Sequence, residues 1–328
     1  MAFPTHRPRR LRTRPSVRDL VAEHQLSASD LIQPVFVFEG EGPDVPIASM
    51  PGQSRVSEHC ILQLADRAWA AGVRALALFP KIPDAQKTED GAEAHNDAGL
   101  VPRVVKRLKA ALPDLLLITD VALDPYSSLG QDGIVVNGDI HNDLTLDALV
   151  KQALCHARAG ADMVAPSDMM DGRVGRIRAA LDAEGHTNTL ILAYSAKYAS
   201  AFYGPFRDAL DSAPRGGADK RTYQMNPANG AEALHEVGLD LDEGADIVMV
   251  KPGMPYLDII WRVRERFQRP VAAYQVSGEY AMICAAAEQG WLDRDAIVDE
   301  SLLAFKRAGA SMILTYFAIE AAERWGRR

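Results

Sequence analysis

Two lysines in this sequence each end an apolar run that has the length of a buried strand. Lys197 ends the segment ILAYSAK, and Lys251 ends DIVMVK, directly before Pro252 and Gly253. Burial disfavours a charged ammonium, and two neighbouring ammonium groups repel each other, so an amine placed in this way loses its proton and can form a Schiff base with a carbonyl carbon. A single lysine at a strand end often extends to solvent. Two lysines that converge on one pocket instead favour carbonyl chemistry.

Cationic and hydroxyl groups near these lysines indicate a site for acids. Arg207 and Lys220 lie in the long segment after the Lys197 run, which has the length of a lid. Ser277 and Tyr316 follow two later apolar runs and offer hydroxyl donors. Cations on a lid suit a substrate carboxylate, although a loop of this length also carries solvated charges.

Three carboxylates lie at or beyond the end of the apolar run LLLITDV. They are Asp120, Asp124 and Asp132. Carboxylates in such a place bind a hard cation such as Mg2+, transfer protons, or cap loops and helices. The position of Asp120 at the end of the run favours a functional role, and the other two remain open.

Other catalytic arrangements are absent from the sequence. His235 and Glu236 begin an HExxH pattern, but position 239 is Leu, so a zincin is excluded. No serine lies in a GxSxG motif, and the eight histidines form no cluster at ligand spacing. The three cysteines, Cys60, Cys155 and Cys284, lie far apart, which excludes a disulfide scaffold and a cysteine-built zinc site.

The elements that must position these residues follow a repeated junction. Four helical segments each end at a small residue and a glycine that lead into an apolar run, at Gly72, Gly160, Gly244 and Gly309. Four further apolar runs bring the number of predicted strands to eight, near residues 34–38, 75–79, 115–121, 163–166, 190–194, 247–250, 271–276 and 312–316. Continuous apolar strands alternating with helices favour a parallel (β/α)8 TIM barrel of the α/β class. A doubly wound sheet is the weaker alternative, because neither GxGxxG nor GxxxxGK occurs.

Composition limits the remaining function classes. The chain has 328 residues, 48% of them hydrophobic, and no apolar run reaches the roughly 18 residues of a membrane-spanning helix. The net charge of −8 argues against general nucleic-acid binding, yet the first 18 residues contain six arginines and no acid. We therefore predict a basic N-terminal arm for subunit contacts over residues 1–30 and a catalytic barrel over residues 31–328. The start of the chain lacks the apolar core of a secretory signal. Its arginine-rich, acid-poor composition fits a transit peptide, which stays open as the weaker alternative because Pro4, Pro8 and Pro15 interrupt an amphipathic helix. Together with the dispersed cysteines, these features predict a cytoplasmic location.

Four segments resemble the delta-aminolevulinic acid dehydratases, also called porphobilinogen synthases. They are VAPSDMMDGRV, AYSAKYASAFYGPFRDA, MVKPGMPYLDI and YQVSGEYAM, starting at Val164, Ala193, Met249 and Tyr274. The resemblance implies a hydro-lyase that condenses two 5-aminolevulinate molecules to porphobilinogen with loss of two waters, in tetrapyrrole (heme and chlorophyll) biosynthesis.

The resemblance also implies a role for individual residues. Lys251 matches the lysine that forms a Schiff base with the propionate-side substrate, and Lys197 matches the one that binds the acetate-side substrate. Ser277 and Tyr316 match the hydroxyls that hold one carboxylate, while the lid groups Arg207, Lys220 and Gln224 match those that hold the other. Asp120 and Ser167 match polar residues beside the reacting atoms, with expected roles in proton transfer or amine orientation.

The metal loop departs from the zinc-dependent members of this family. Ala122, Asp124 and Asp132 stand where those members carry cysteines. Thiolates select zinc, whereas carboxylates prefer Mg2+, so we expect no zinc in the active site. The two carboxylates remain open to weak binding of Mg2+ or to pairing with a lysine. Glu236 matches a glutamate that binds an allosteric Mg2+ in some relatives, which leaves that metal open too.

The family forms rings of dimers whose arms embrace neighbouring subunits. The resemblance therefore implies a homo-oligomer, with an octamer expected and a hexamer left open, and it explains the basic arm without nucleic acid or a membrane. Two alternatives remain from the residues themselves. One is a class I aldolase that uses a single Schiff-base lysine, and the other is a protein without enzymatic activity that binds RNA or other anions through the arm.

Overall fold

The computed structural model describes residues 3–210 and 219–327. The strands in these residues are β1 (Leu31–Phe38), β2 (Val45–Pro46), β3 (Ser54–Ser57), β4 (Ala75–Lys81), β5 (Leu116–Val121), β6 (Val135–Val136), β7 (Asp139–Ile140), β8 (Met163–Pro166), β9 (Leu190–Lys197), β10 (Ile247–Lys251), β11 (Val271–Gln275) and β12 (Met312–Thr315). The α-helices are α1 (Pro15–Leu20), α2 (Ile61–Ala71), α3 (Leu100–Ala111), α4 (Asn142–Ala159), α5 (Arg173–Ala183), α6 (Gly204–Leu210), α7 (Glu232–Asp242), α8 (Leu257–Phe267), α9 (Ser277–Glu288), α10 (Arg294–Arg307) and α11 (Ala318–Trp325).

Eight parallel strands close into a barrel, in the order β1, β4, β5, β8, β9, β10, β11, β12. The barrel closes where Leu31 of β1 pairs with Ile313 of β12 and Ile32 pairs with Leu314. Almost every residue of these strands is buried, because barrel side chains cover one face and helices cover the other. The predicted (β/α)8 barrel is confirmed, and the doubly wound sheet is excluded.

The four predicted helix-to-strand junctions are present. Gly72, Gly160, Gly244 and Gly309 have φ values of 92°, 103°, 104° and 104° and lie within two residues of the ends of α2, α4, α7 and α10. Only glycine adopts this left-handed conformation at little cost, and the chain then turns directly into the next strand. Ser57 ends β3, and its Oγ accepts the backbone N–H of Cys60 just before α2 begins.

A β-bulge in β9 sets the direction of the first lysine. β9 carries one residue more than β10 across the interval from Ala193 to Ala196. The two strands then come back into register, and Lys197 lies directly opposite Lys251. Paired residues of adjacent parallel strands point to the same face, so both lysines point the same way.

The N-terminal segment contains no buried residue between positions 3 and 30. It is held on the barrel near its end, where Leu26 and Ala28 pack on the core and Asp30 forms an ion pair of 3.0 Å with Lys306. None of the described helices is both long enough and apolar enough to cross a bilayer.

Candidate active site

The two predicted lysines lie side by side at the carboxyl end of the barrel. Both end their strands, and each is only 5% exposed. Their surroundings nevertheless differ, since Lys251 is enclosed by aromatic rings and Lys197 contacts acceptors. The site thus contains two adjacent amines in unlike environments.

Lys251 lies among four aromatic rings. Its Nζ is 4.8–5.2 Å from the ring centres of Tyr194, Tyr203, Phe206 and Tyr274. The rings attract a cation weakly, but they also exclude water. Burial first, and then the neighbouring Lys197 ammonium, lower the pKa of Lys251 to about 7. A large fraction of this amine is therefore neutral and nucleophilic near neutral pH.

Lys197 is held by acceptors instead. Its Nζ donates to Asp132 Oδ1 at 3.0 Å and, over a shorter distance, to the backbone oxygen of Ser167. The other Asp132 oxygen accepts from Lys220 Nζ at 2.7 Å and from the Tyr223 hydroxyl at 2.6 Å. Burial alone would raise the pKa of Asp132, but the two ammonium groups and these hydrogen bonds hold it well below its ordinary value. Asp132 is thus an anion between two cations.

Asp120 faces the two lysines from β5. Burial and the nearby Asp124 carboxyl raise the pKa of Asp120 to about 7, while Lys251 and the Ser167 hydroxyl act in the opposite direction. Its Oδ1 is buried without a hydrogen-bond partner among the described residues. A carboxyl that titrates near pH 7 can both give and take a proton, and an unpaired oxygen is available to a substrate.

Asp124 lies in the segment that follows β5 and is buried. Burial raises its pKa, although Lys220, 3.6 Å away, counteracts part of this effect. Asp120, Asp124 and Asp132 therefore form one cluster with Lys197, Lys220 and Lys251, and the structure brings together the catalytic candidates that were predicted from different strands.

The hydroxyls predicted to hold one carboxylate lie on the adjacent side of the rim. Ser277 begins α9 and is fully buried, and its Oγ accepts the backbone N–H of Phe206 at 2.9 Å. Tyr316 follows β12, and its hydroxyl lies 2.9 Å from the hydroxyl of Tyr274. Since Phe206 and Tyr274 both contact Lys251, these hydroxyls belong to the environment of that amine.

The lid candidates come from two segments of the chain that follow β9. Lys220 and Gln224 are buried, and the Gln224 side-chain oxygen has no hydrogen-bond partner among the described residues. Arg207 lies on α6 and is half-buried. Between α6 and Lys220, residues 211–218 of the predicted lid lie outside the described residues.

Several residues of the site are not predicted by the sequence. Tyr223 contacts Asp132, and Gln131 accepts from the same tyrosine hydroxyl at 2.8 Å. The ring cage of Lys251 is a second such feature. Tyr194 and Tyr274 lie near the ends of predicted strands, and that position could have indicated that they face the site. Tyr203 and Phe206 lie in the lid segment, where no sequence pattern indicates their position.

The carboxylates of the predicted metal loop are engaged by lysines. Both oxygens of Asp132 accept from ammonium groups, Asp124 faces Lys220, and Ala122 supplies no ligand. The ammonium groups of Lys197 and Lys220 would repel a metal cation bound to the same carboxylates, so this donor set fits lysine pairing better than Mg2+ or zinc. Glu236 of α7 is half-buried, and burial and the neighbouring Asp240 raise its pKa. Across residues 3–210 and 219–327, no three His, Cys, Asp or Glu side chains are grouped to hold a metal ion.

The barrel and its paired amines define a class of protein, the (β/α)8 barrel enzymes that bind carbonyl substrates as Schiff bases. Comparison with known proteins narrows this class. A family model described as delta-aminolevulinic acid dehydratase matches residues 5–324. The chain belongs to the delta-aminolevulinic acid dehydratase family.

Curated relatives are similar in sequence to this chain over nearly its full length. Delta-aminolevulinic acid dehydratase 1 of Arabidopsis thaliana, described as chloroplastic, is 56% identical over 97% of this chain and 74% of its own length. The chloroplastic enzyme of Physcomitrium patens is 57% identical over 97% of this chain and 73% of its own. A crystal structure of the enzyme from Toxoplasma gondii, in complex with the reaction product porphobilinogen, superposes with a TM-score of 0.95 at 55% identity, covering 97% of this chain and 91% of that one.

These relatives correct one prediction. The expected cytoplasmic location is wrong, because the similar curated proteins, including those of Glycine max and Oryza sativa, are chloroplastic. The prediction rested on prolines that interrupt an amphipathic helix near the start and on dispersed cysteines. Dispersed cysteines argue against a disulfide scaffold, but they do not distinguish one reducing compartment from another.

Proposed function

We propose that this protein condenses two molecules of 5-aminolevulinate to porphobilinogen and two waters through Schiff bases on Lys251 and Lys197. The observation that carries this proposal is the pair of adjacent buried amines, each in its own environment, in a chain of this family. The two substrate molecules are chemically identical. Unlike surroundings for the two amines give each molecule its own role.

Lys251 acts on the propionate-side substrate. Its neutral amine attacks the ketone carbon, the carbonyl oxygen leaves as water, and a C=N bond replaces the C=O bond. The low pKa supports this step, because a protonated amine has no electron pair to donate. The aromatic rings around Nζ exclude water that would hydrolyse the Schiff base.

Lys197 acts on the acetate-side substrate. An iminium draws electrons more strongly than a ketone, so it acidifies the adjacent carbon for C–C bond formation. Asp132, which remains an anion, stabilises the positive charge on the Lys197 nitrogen before and after the imine forms. The carbon beside this iminium loses a proton and attacks the C=N carbon on Lys251 to form the C–C bond. Lys251 leaves as a free amine when the ring C=C bond forms, and Lys197 leaves when the amino group of the Lys251-side substrate displaces it. The two waters lost are therefore the oxygens of the two ketones.

The remaining candidates bind and move protons. Ser277 and Tyr316 are proposed to hold the carboxylate of the Lys251-bound substrate, and Arg207, Lys220 and Gln224 that of the other. Among the described residues, Asp120 Oδ1 and the side-chain oxygen of Gln224 have no hydrogen-bond donor. These acceptors suit the amino group of a substrate, whereas Gln224 would hold a carboxylate through its side-chain N–H2 group. Asp120 is proposed to transfer a proton beside the reacting carbon, with Ser167 orienting it.

The chemistry is proposed to need no zinc. Asp124 and Asp132 neutralise the positive charges of lysines, so Mg2+ binding at Glu236 is the metal site that remains to be tested. Activity after chelation is compared with activity in excess Mg2+. Equal rates support chemistry by the lysines alone, whereas activity restored only by Mg2+ places a required cation in the protein, and Glu236→Gln then shows whether it binds on α7.

The N-terminal arm is proposed to contact other subunits in a homo-oligomer. Apolar side chains at Phe3, Leu11 and Leu20 support this role, since each remains largely exposed among the described residues. Light scattering on the full chain and on a chain lacking residues 1–30 tests it. A smaller assembly without the arm supports the proposal, and an unchanged mass contradicts it.

The function itself is tested by product formation and by borohydride trapping with 5-aminolevulinate. Wild-type protein is expected to form porphobilinogen and to carry trapped substrate on two lysines. Lys197→Met and Lys251→Met are each expected to abolish product. Trapping on one lysine only, with no porphobilinogen, would support the class I aldolase instead.

A further inference from the structure

Glu279 of α9 is a buried acid that the reaction described above does not use. It is fully buried, and no cation among the described residues lies within ion-pair distance of it. Its partners are backbone N–H groups. Oε1 accepts from Met254 at 2.6 Å, and Oε2 accepts from Val276 at 2.6 Å and from Gly253 at 3.4 Å.

Only one of these contacts is the helix cap that a glutamate in the first turn of a helix commonly makes. Glu279 is the third residue of α9, and its contact to the N–H of Val276 caps that helix. The contacts to Gly253 and Met254 instead reach the turn that follows Lys251, 26 and 25 positions away in sequence. A single carboxylate thus ties the chain after β10 to the chain after β11.

Close backbone packing surrounds this carboxylate on both sides. A Cβ on Gly253 would overlap the Phe305 ring and lie 2.9 Å from the backbone oxygen of Tyr274. A Cβ on Gly278 would lie 2.5 Å from the backbone oxygen of Phe202. The turn after Lys251 and the start of α9 therefore have little freedom to shift independently of their neighbours.

The same tie extends to the carboxylate-binding side of the site. Val276 precedes Ser277, whose Oγ accepts the N–H of Phe206, and the ring of Phe206 returns to Lys251 at 5.0 Å from Nζ. The contacts form a closed path from Lys251 through its turn, Glu279, Ser277 and Phe206 back to the amine. Glu279 is the member of this path that joins the turn to α9.

We propose that Glu279 is a positioning residue that fixes the Lys251 amine relative to the Ser277 hydroxyl. The substrate must present its ketone to the amine while its carboxylate is held, so both groups have to keep one separation. Burial raises the pKa of Glu279 and the three N–H donors counteract part of this effect, which leaves the pKa at about 7, so the charge of the carboxylate depends on these contacts. This inference rests on the proposed function, because it concerns how the Lys251 Schiff base forms.

The test compares Glu279→Gln with Glu243→Gln. Glutamine keeps the size of the side chain but replaces one acceptor with an N–H2 group that faces an N–H donor. Glu243 is the matched control, since its Oε2 accepts the N–H of Gly175 at 3.0 Å between outer helices. The rate of borohydride trapping of 5-aminolevulinate on Lys251 is measured by peptide mapping, together with kcat and KM.

Glu279→Gln is expected to slow trapping on Lys251 by about 10- to 100-fold, as displaced reacting groups do, and to raise KM, while Glu243→Gln keeps the wild-type rate. Wild-type trapping in Glu279→Gln, or an equal loss in both variants, would overturn the proposal. A wild-type protein that makes no porphobilinogen and traps no substrate would refute the proposed function instead.

Hydrogen exchange on the wild-type protein tests the tie without any variant. The amides of Met254 and Val276 share Glu279, so they are expected to exchange slowly and at similar rates. Fast exchange at Met254 beside slow exchange at Val276 would show that Glu279 only caps α9. This measurement holds even if Glu279→Gln does not fold.

Discussion

Replacing Lys197 with methionine is expected to make Lys251 less reactive at neutral pH, although the two residues belong to different Schiff bases. Methionine fills a similar volume without a charge. Lys197 and Lys251 are paired across β9 and β10, and the Lys197 ammonium is the second cause, after burial, of the low pKa of Lys251. Removing that charge relieves the repulsion, so the pKa of Lys251 rises.

The size of the effect follows from the pKa of Lys251. With a pKa of about 7, about half of the amine is neutral at pH 7, compared with roughly 0.03% for an ordinary lysine. Burial among the aromatic rings persists in Lys197→Met, so only part of this difference is lost. The loss of one close like charge is expected to reduce the neutral fraction at pH 7 by about tenfold.

The assay is the initial rate of trapping on Lys251, measured from pH 6 to pH 10 with limiting 5-aminolevulinate and borohydride. The wild-type rate is expected to rise through a midpoint near pH 7, and the Lys197→Met midpoint is expected to lie higher. Lys151→Met, which removes an exposed ammonium on α4, controls for net charge. A Lys197→Met midpoint equal to or below that of wild type would refute the electrostatic coupling of the two amines.

Three further changes test the packing of the site and the barrel. Asp132→Asn leaves Lys197 and Lys220 without their shared anion, so the free energy of unfolding in urea is expected to fall by about 3–5 kcal/mol. The control Tyr223→Phe removes one hydrogen bond to the same carboxylate and is expected to cost about 1 kcal/mol. Equal losses in the two variants would contradict the role of the anion. Leu76→Ala in β4 is expected to cost about 2–5 kcal/mol because Leu76 is fully buried, and a similar cost for the exposed Leu116→Ala would contradict this. Gly253→Ala is expected to lower both the unfolding midpoint and the trapping rate on Lys251, because its methyl group overlaps the Phe305 ring; wild-type values would show that the turn can move.

The barrel could be predicted from the sequence because its signals are local. A continuous apolar run identifies a strand that is covered on both faces, and a glycine after a helix identifies the turn before the next strand. The ends of the strands follow from the same runs, and for this reason the sequence alone indicates Lys197 and Lys251 as reactive amines. The short strands β2, β3, β6 and β7 give no such signal, since two to four residues are too few to show a period.

The partners of the lysines could not be predicted, because they come from distant parts of the chain. Asp132 lies 65 positions before Lys197 and 88 before Lys220, and no spacing rule connects them. The bulge in β9 could not be predicted either, since it appears only when the register of β9 is compared with that of β10. The sequence therefore predicts which groups could react, while the contacts that distinguish one amine from the other depend on the fold.

That distinction explains how one barrel can treat two identical substrates differently. Lys251 has aromatic rings around it and a lowered pKa, so it is expected to react first with 5-aminolevulinate. Lys197 is held by Asp132 and the backbone oxygen of Ser167, and it must leave these acceptors before its nitrogen can attack. The order of the two Schiff bases is therefore expected to follow from the charges around the amines, and the pH profile of trapping on Lys251 in Lys197→Met tests the Lys251 half of this expectation.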